Sequence, residues 1–351
     1  MANIVVCADG TWNRPEEDVE KDFPTNVLKL ARAIKPSISA AANGKGTKQH
    51  VFYDWGLGSY HSNISAGATG RGIHKNILDG YRYIVQNYAA NDKIYLFGFS
   101  RGAYTVRALS GLINNCGILK RPDANLINKA WDIYKSPSTK NAPQGEAAKQ
   151  FRSDHCHQSR KVHFVGVWDT VGALGIPLSL MGLFDRNDEF YDTKMGSNVS
   201  FARHALAIDE EREDFAPTIW HPKPGVDLKQ VWFAGAHADI GGSYPPDKQT
   251  GISTSDTPLA WMLDEAASAG LKIEKHIREN LTDGSKGKVH KSRNHVYRFK
   301  KPLRRPLIVE GTPTQIHPSV KARYLADSKY RPRQLKKLVE ETGWDGLYVG
   351  D

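Results

Sequence analysis

The sequence predicts an α/β fold, with a mostly parallel central sheet and helices on both of its faces. Three observations predict it. Short apolar, β-branched runs such as "IVVCA" (Ile4–Ala8) and "KIYLFGF" (Lys93–Phe99) read as strands buried on both faces. These runs alternate along the chain with amphipathic helical stretches, as crossover connections between parallel strands require. The 351 residues, 40% hydrophobic and 25% charged, are enough for one large α/β domain and too apolar for wholesale disorder.

Ile4–Ala8 is the first strand. "PTNVLKLARAI" follows, with Thr25 or Asn26 as helix cap and Val27, Leu30, Ala31 and Ile34 as the apolar face. "NGKG" (Asn43–Gly46) breaks that helix, and "QHVFYDWGLG" is the second strand with a Gly-rich turn. "GRGIHKNILDGYRYIVQNY" places Ile73, Ile77, Tyr81, Ile84, Val85 and Tyr88 on one helical face. "KIYLFGFS" is the third strand, and "RGAYTVRALSGLINNCG" the helix after it, stopped by Gly117. "KVHFVGVWDTVGALG" and "QVWFAGAHADIGGSY" supply the fourth and fifth strands, and "TPLAWMLDEAASAGL" a late helix. The expected organisation is a single domain over residues 1–330, with insertions near 119–160 and 175–200, followed by a C-terminal extension over 331–351. The tail from about 285 is basic and carries no clear periodicity.

Composition narrows the function. Three cysteines (Cys7, Cys116, Cys156) form neither a CxxC pair nor a secreted disulfide framework, so a reducing compartment is expected. No secretory signal or membrane-spanning run is visible, which points to a cytoplasmic protein, with export by a signal-less machine left open. A net charge of +10 favours anionic partners such as a phospholipid surface, although a merely solvated basic surface has the same composition. There is no P-loop, metal-ligand cluster or nucleic-acid-binding motif, so no cofactor and no nucleic-acid partner are expected. "GATGRG" (Gly67–Gly72) resembles a dinucleotide loop only loosely, because no acidic ribose partner follows it. Oligomeric state leaves no trace in the sequence.

"GFSRG" (Gly98–Gly102) matches G-x-S-x-G with a strand before it and a helix after it, the context in which the motif forms a nucleophile elbow. The sharp turn holds Ser100 at the end of its strand, beside the positive helix terminus; a Gly-rich turn whose serine merely caps the helix has the same pattern. A serine hydroxyl needs a base, and the base needs an acid to orient it. Asp169 and His237 each fall just past the C-terminal end of a later strand, in the chain order of α/β hydrolases. Asp239 is a second candidate to orient His237, and His317 in "IHPSV" a rival base. Chain order favours Asp169, and the preceding strand favours His237.

The turn "ADGT" (Ala8–Thr11) resembles two things. It looks like the end of the haloacid dehalogenase phosphatase loop, but the nucleophilic aspartate of that loop is replaced here by Cys7. It also looks like the loop after the first core strand of serine hydrolases, where amides receive an oxyanion. Gly10 and Thr11 would then act with the N–H of Arg101, the residue after the nucleophile. Asp9 would fix the loop.

Taken in order, "ADGTWN", "PTNV", "GFSRGAYTVRALSGLI", "VWDTVGALG", "RHALAIDEER", "WFAGAHADIGGSY" and "IHPSVKARY" resemble the type VI secretion phospholipase effector-like family of α/β hydrolases. The likeness runs from about residue 2 to 330. It implies an α/β-hydrolase core with a cap formed by insertions, and a Ser-Asp-His triad carried onto Ser100, Asp169 and His237. A serine esterase acting on small-molecule or lipid esters, phospholipids among them, is the expected activity. Two other readings stay open: a silent scaffold binding an anionic partner, and a metal-dependent phosphohydrolase using Asp9, Asp169 and Asp239. "GIPLSLMGLFDRNDEFYDT" (Gly175–Thr193) suits a mobile cap over an acyl pocket, or an ordinary packed excursion. "KGKVHKSRNHVYRFKKPLRR" (Lys286–Arg305) suits a surface for phosphate headgroups or nucleic acid, or a solvated hairpin.

Overall fold

The structure, a computed structural model, describes residues 1–10, 13, 15–18, 21–38, 46–56, 70–171, 195–293, 297, 299–312, 315–345 and 347. The Gly175–Thr193 cap candidate and Thr11 lie outside the described residues, as does the first half of the "GATGRG" stretch, residues 67–69.

The elements run in the order β1 (Ala2–Ala8), α1 (Asn26–Ala33), β2 (Ser37–Ile38), β3 (Thr47–Asp54), α2 (Gly70–Asn87), β4 (Lys93–Phe99), α3 (Arg101–Cys116), α4 (Ala124–Lys135), α5 (Glu146–His155) and β5 (Val162–Trp168). They continue with β6 (Val199–Ala207), β7 (Asp227–Phe233), α6 (His237–Gly241), α7 (Asp256–Ser268), α8 (Lys275–Glu279), β8 (Gln315–Ile316), α9 (Pro318–Ala326) and α10 (Arg333–Thr342). One sheet holds all eight described strands, in the order β2-β3-β1-β4-β5-β6-β7-β8. Only the β2–β3 pairing is antiparallel. A parallel core with helices around it is the α/β-hydrolase-like architecture that the sequence predicts.

Strand pleating sorts the core into two faces. Ile4, Val6, Ile94, Leu96, Val165 and Val167 pack with α2 to α5 on one side. Val5, Cys7, Tyr95, Phe97, Phe164 and Trp168 pack with α1 and α7 on the other. The stretch expected as the first insertion holds α4 and α5, whose Ile127, Trp131 and Phe151 join the first face. A third cluster joins Leu206 and Trp232 to Leu307, Val320, Leu335 and Leu338, so the tail and α10 pack on the β6–β7 end of the sheet. No helix among the described residues is long and apolar enough to cross a membrane. The three cysteines are buried and free.

β6 lies inside the sheet, between β5 and β7, where the sequence shows no clear strand. Its run "VSFARHALA" is interrupted by Arg203 and His204, which a buried apolar strand should not contain. Both are accommodated. Arg203 pairs with Asp227 at 2.9 Å and with Glu265 at 2.5 Å, and His204 is buried as a neutral ring. Parallel strands place their C-terminal ends along one sheet edge, and every candidate residue below comes from that edge.

Candidate active site

Ser100 sits between β4 and α3 with φ 57° and ψ −121°, a conformation that non-glycine residues rarely adopt. Its hydroxyl makes no capping hydrogen bond to α3, so the serine does not serve as a helix cap. The flanking glycines are required by close approach. A Cβ on Gly98 would lie 2.4 Å from the Gly102 carbonyl oxygen, and one on Gly102 would lie 2.0 Å from that of Ala8. The elbow is thereby pressed against the end of β1. Gly10 is next to it, since a Cβ there would lie 3.1 Å from Ser100 Cβ.

Asp169 follows β5, is fully buried and has φ 38°. His237 opens α6 shortly after β7. The structure brings them together: His237 Nδ1 lies 2.7 Å from Asp169 Oδ2. The imidazole packs between Phe99, with ring centroids 4.6 Å apart, and Phe215, edge-on at 4.9 Å. Phe99 is the last residue of β4 and precedes Ser100. Because Nδ1 is committed to a carboxylate, Nε2 is the nitrogen left to take a proton.

The other aspartates are employed elsewhere. Asp239 Oδ1 lies 2.6 Å from His290 Nδ1, and its Oδ2 accepts from the Ala236 and His290 amides, both at 2.9 Å. Asp239 therefore clamps α6 and does not orient His237. Asp9 accepts from Gly10 N at 2.8 Å, Thr25 Oγ1 at 2.5 Å and Tyr53 Oη at 2.7 Å. Burial pushes its carboxyl up to about 6 against the pull of those bonds. Asp9 thus ties the loop to α1 and β3, and it also takes the Gly10 N–H that was expected to receive an oxyanion. Arg101 is the first residue of α3. His317 caps α9 through Ser319 and stacks on Phe233 at 4.6 Å, and burial pulls its imidazole down to about 4. Asp9, Asp169 and Asp239 each have separate partners, and the described residues contain no group of three or more His, Cys, Asp or Glu able to hold a metal ion.

Four residues of the site were not assigned from sequence. Arg305 is fully buried and grips Asp169, with Nη1 2.6 Å from Oδ1 and Nη2 3.1 Å from Oδ2. Burial alone would raise the Asp169 carboxyl, but the Arg305 guanidinium and the bond to His237 hold it well below the usual carboxylate range. Glu210, also fully buried, accepts the His237 amide at 3.2 Å and pairs with Arg212 at 2.8 Å. His204 Nε2 accepts from the Thr170 amide at 3.2 Å, behind Asp169, and burial pulls this ring down to about 3. Phe215 walls the imidazole. "RHALAIDEER" contains two of these, His204 and Glu210, but nothing in its pattern says that they face the site.

Residues 2–265 match the family described as the Tle1-like phospholipase effector of type VI secretion, catalytic domain. An uncharacterized protein of Saccharomyces cerevisiae is 28% identical over 246 residues, covering 64% of this chain and 33% of that protein. Among solved structures, an uncharacterized protein from Pseudomonas aeruginosa aligns with TM-score 0.46 and 17% identity, over 79% of this chain and 47% of the other. A Tle1 effector bound to the VgrG spike aligns with TM-score 0.43 and 17% identity, over 72% and 52%. The metagenomic carboxyl esterase MGS0156 aligns with TM-score 0.32 and 13% identity, over 80% and 76%. The chain therefore spans a third of the yeast relative and about half of the first two of these structures.

Proposed function

This chain belongs to the Tle1-like phospholipase effector family, matched through its catalytic domain, and from that premise we propose that it is a serine hydrolase of lipid carboxylic esters. Ser100 is the nucleophile, His237 the base and Asp169 the acid that orients it. The observation that carries the reading is the 2.7 Å bond from His237 Nδ1 to Asp169, made by an imidazole packed against Phe99, the residue before Ser100.

In this mechanism Ser100 Oγ attacks the ester carbonyl carbon while its proton passes to His237 Nε2. Asp169 stabilises the imidazolium through Nδ1–H. The oxyanion that forms is received by the Arg101 amide at the start of α3, where the helix dipole favours negative charge. The Gly10–Thr11 turn is the second donor, and for Gly10 this means releasing Asp9. The C–O bond to the alcohol then breaks, and the leaving oxygen takes the proton from Nε2. Water, deprotonated by Nε2, attacks the acyl-serine and releases the acid and free Ser100. Phospholipids are the first substrates to test, and the charge of +10 suits an anionic lipid surface.

The test uses a short p-nitrophenyl ester, phosphatidylglycerol vesicles and a fluorophosphonate probe. The wild-type chain should hydrolyse the ester, release fatty acid from the vesicles and take up one probe per chain. Ser100→Ala should lose all three. Probe labelling and turnover that survive in Ser100→Ala would refute the nucleophile. Absence of labelling in the wild type would favour a silent scaffold.

A further inference from the structure

We propose that Arg305 is a positioning residue of this site, which clamps Asp169 and sets the pH at which the Asp169–His237 pair takes up a proton. This role rests on the reading of Asp169 and His237 as acid and base, but one of its tests needs no turnover.

Arg305 lies beyond residue 265, where the family match ends. Its neighbours Lys301, Pro302, Arg304 and Pro306 are exposed, whereas Arg305 and Leu307 are buried and Leu303 is half-buried. The segment thus turns alternate residues inward, and an arginine occupies a position between two leucines. Leu303 anchors it by donating its amide to Glu211 at 2.8 Å, and Leu307 packs in the third core cluster.

A fully buried guanidinium is costly, and a buried ion pair is often no more stabilising than a well-packed apolar group. Its chemistry is better explained by geometry. Nη1 donates to Asp169 Oδ1 and to the Ala207 carbonyl at 2.9 Å. Nη2 donates to Asp169 Oδ2 and to the Phe215 carbonyl at 2.5 Å. One planar fork therefore fixes the carboxylate and also the residue whose ring edges onto His237. A lysine ammonium offers no matching pair of parallel donors.

The charges around the pair give the sign of the pH effect. The groups that face it are Arg305, Glu210 with its partner Arg212, and the buried His204; Asp239 is committed to His290. With the imidazole neutral, two carboxylates and two guanidiniums balance. Arg305 Nη2 and His237 Nδ1 bond the same oxygen, so they lie within about 6 Å of each other, in the range where a like charge disfavours protonation of the imidazole and a cation beside a carboxylate shifts its titration by about one to three units. Removing the guanidinium leaves net negative charge. Protonation of either member of the pair then becomes easier, and the transition moves to higher pH.

The test compares the full-length wild type with Arg305→Met, which loses charge and fork, and Arg305→Lys, which keeps the charge alone. The pH of the imidazole transition is read by histidine NMR, and the acid limb of kcat/KM with a p-nitrophenyl ester. Arg305→Met should raise both by about one pH unit or more. Arg305→Lys should leave the transition within about half a unit and lower kcat by about tenfold or more, with KM little changed. A folded Arg305→Met with an unmoved transition would overturn the proposal. If Arg305→Met does not fold, Arg305→Lys decides: a wild-type kcat overturns it, and a loss of kcat at an unmoved transition upholds it. If the wild type hydrolyses no ester, the function above fails, while the NMR shift still upholds or overturns the role of Arg305.

Discussion

Two Asp–His pairs flank the same short helix, and they are built differently. Asp169–His237 and Asp239–His290 have nearly equal bond lengths, 2.7 and 2.6 Å. In the first, the spare capacity of the carboxylate goes to a buried cation, and the imidazole packs between the rings of Phe99 and Phe215. In the second, the spare oxygen goes to two backbone amides, and the imidazole is partly exposed against Tyr244, with ring centroids 4.1 Å apart. An Asp–His bond alone does not mark a reactive centre. What surrounds it differs: a buried guanidinium and two aromatic rings in one region, backbone amides and a partly exposed tyrosine in the other.

The largest effect that separates the two regions is on rate. His237→Ala should lower kcat for a p-nitrophenyl ester by on the order of 10³-fold or more, since serine loses its base. His290→Ala should keep kcat within about fivefold and cost about 1–3 kcal/mol in urea unfolding, through the Asp239 bonds it abandons. Equal losses of rate would dissolve the distinction between the pairs.

Stability should separate the aspartates next. Asp169→Asn removes the charge opposite a fully buried Arg305, which should cost about 3–5 kcal/mol because an uncompensated guanidinium remains inside. Asp239→Asn leaves no stranded cation and should cost about 1–2 kcal/mol. Denaturant midpoints of the two variants at pH 7 check this, and the order of the two is the sharp outcome.

These contrasts also show what could be read from residues alone. The strand ends that carry Ser100, Asp169 and His237 were legible because parallel strands and short turns have strong local signals. β6 was not, because Arg203 and His204 interrupt its apolar run, and their compensation by Asp227, Glu265 and the Thr170 amide is non-local. Arg305 was hidden for the opposite reason. Within "KKPLRRP" it looks like one more solvated charge, and only the fold reveals that this side chain turns inward while Arg304 stays out. The expectation that Lys286–Arg305 faces outward is corrected at that residue. The Gly10 amide could not be foreseen either, since its use by Asp9 depends on a carboxylate rotamer.

The smallest predicted effect concerns a third buried carboxylate, one without a cation. Asp9 is held by Thr25, Tyr53 and the Gly10 amide, and burial pushes its carboxyl up to about 6. Its folded value lies above the ordinary one, so the native state keeps a proton that the unfolded chain has already lost. Its contribution to stability is therefore full below about pH 4 and is lost as pH rises through about 6. Asp169 has the opposite sign: its folded value is depressed, and its contribution persists until the pH falls below the usual carboxylate range. Asp9→Asn should accordingly gain on the wild type between pH 4.5 and pH 7, by up to about 2 kcal/mol in urea unfolding. Comparing the two proteins at both pH values cancels other groups that titrate in this window, such as Asp209, which burial also pushes up to about 6. A stability difference that stays constant between the two pH values would mean that Asp9 is ionised in the fold at both, and that its hydrogen bonds, not its burial, set its charge.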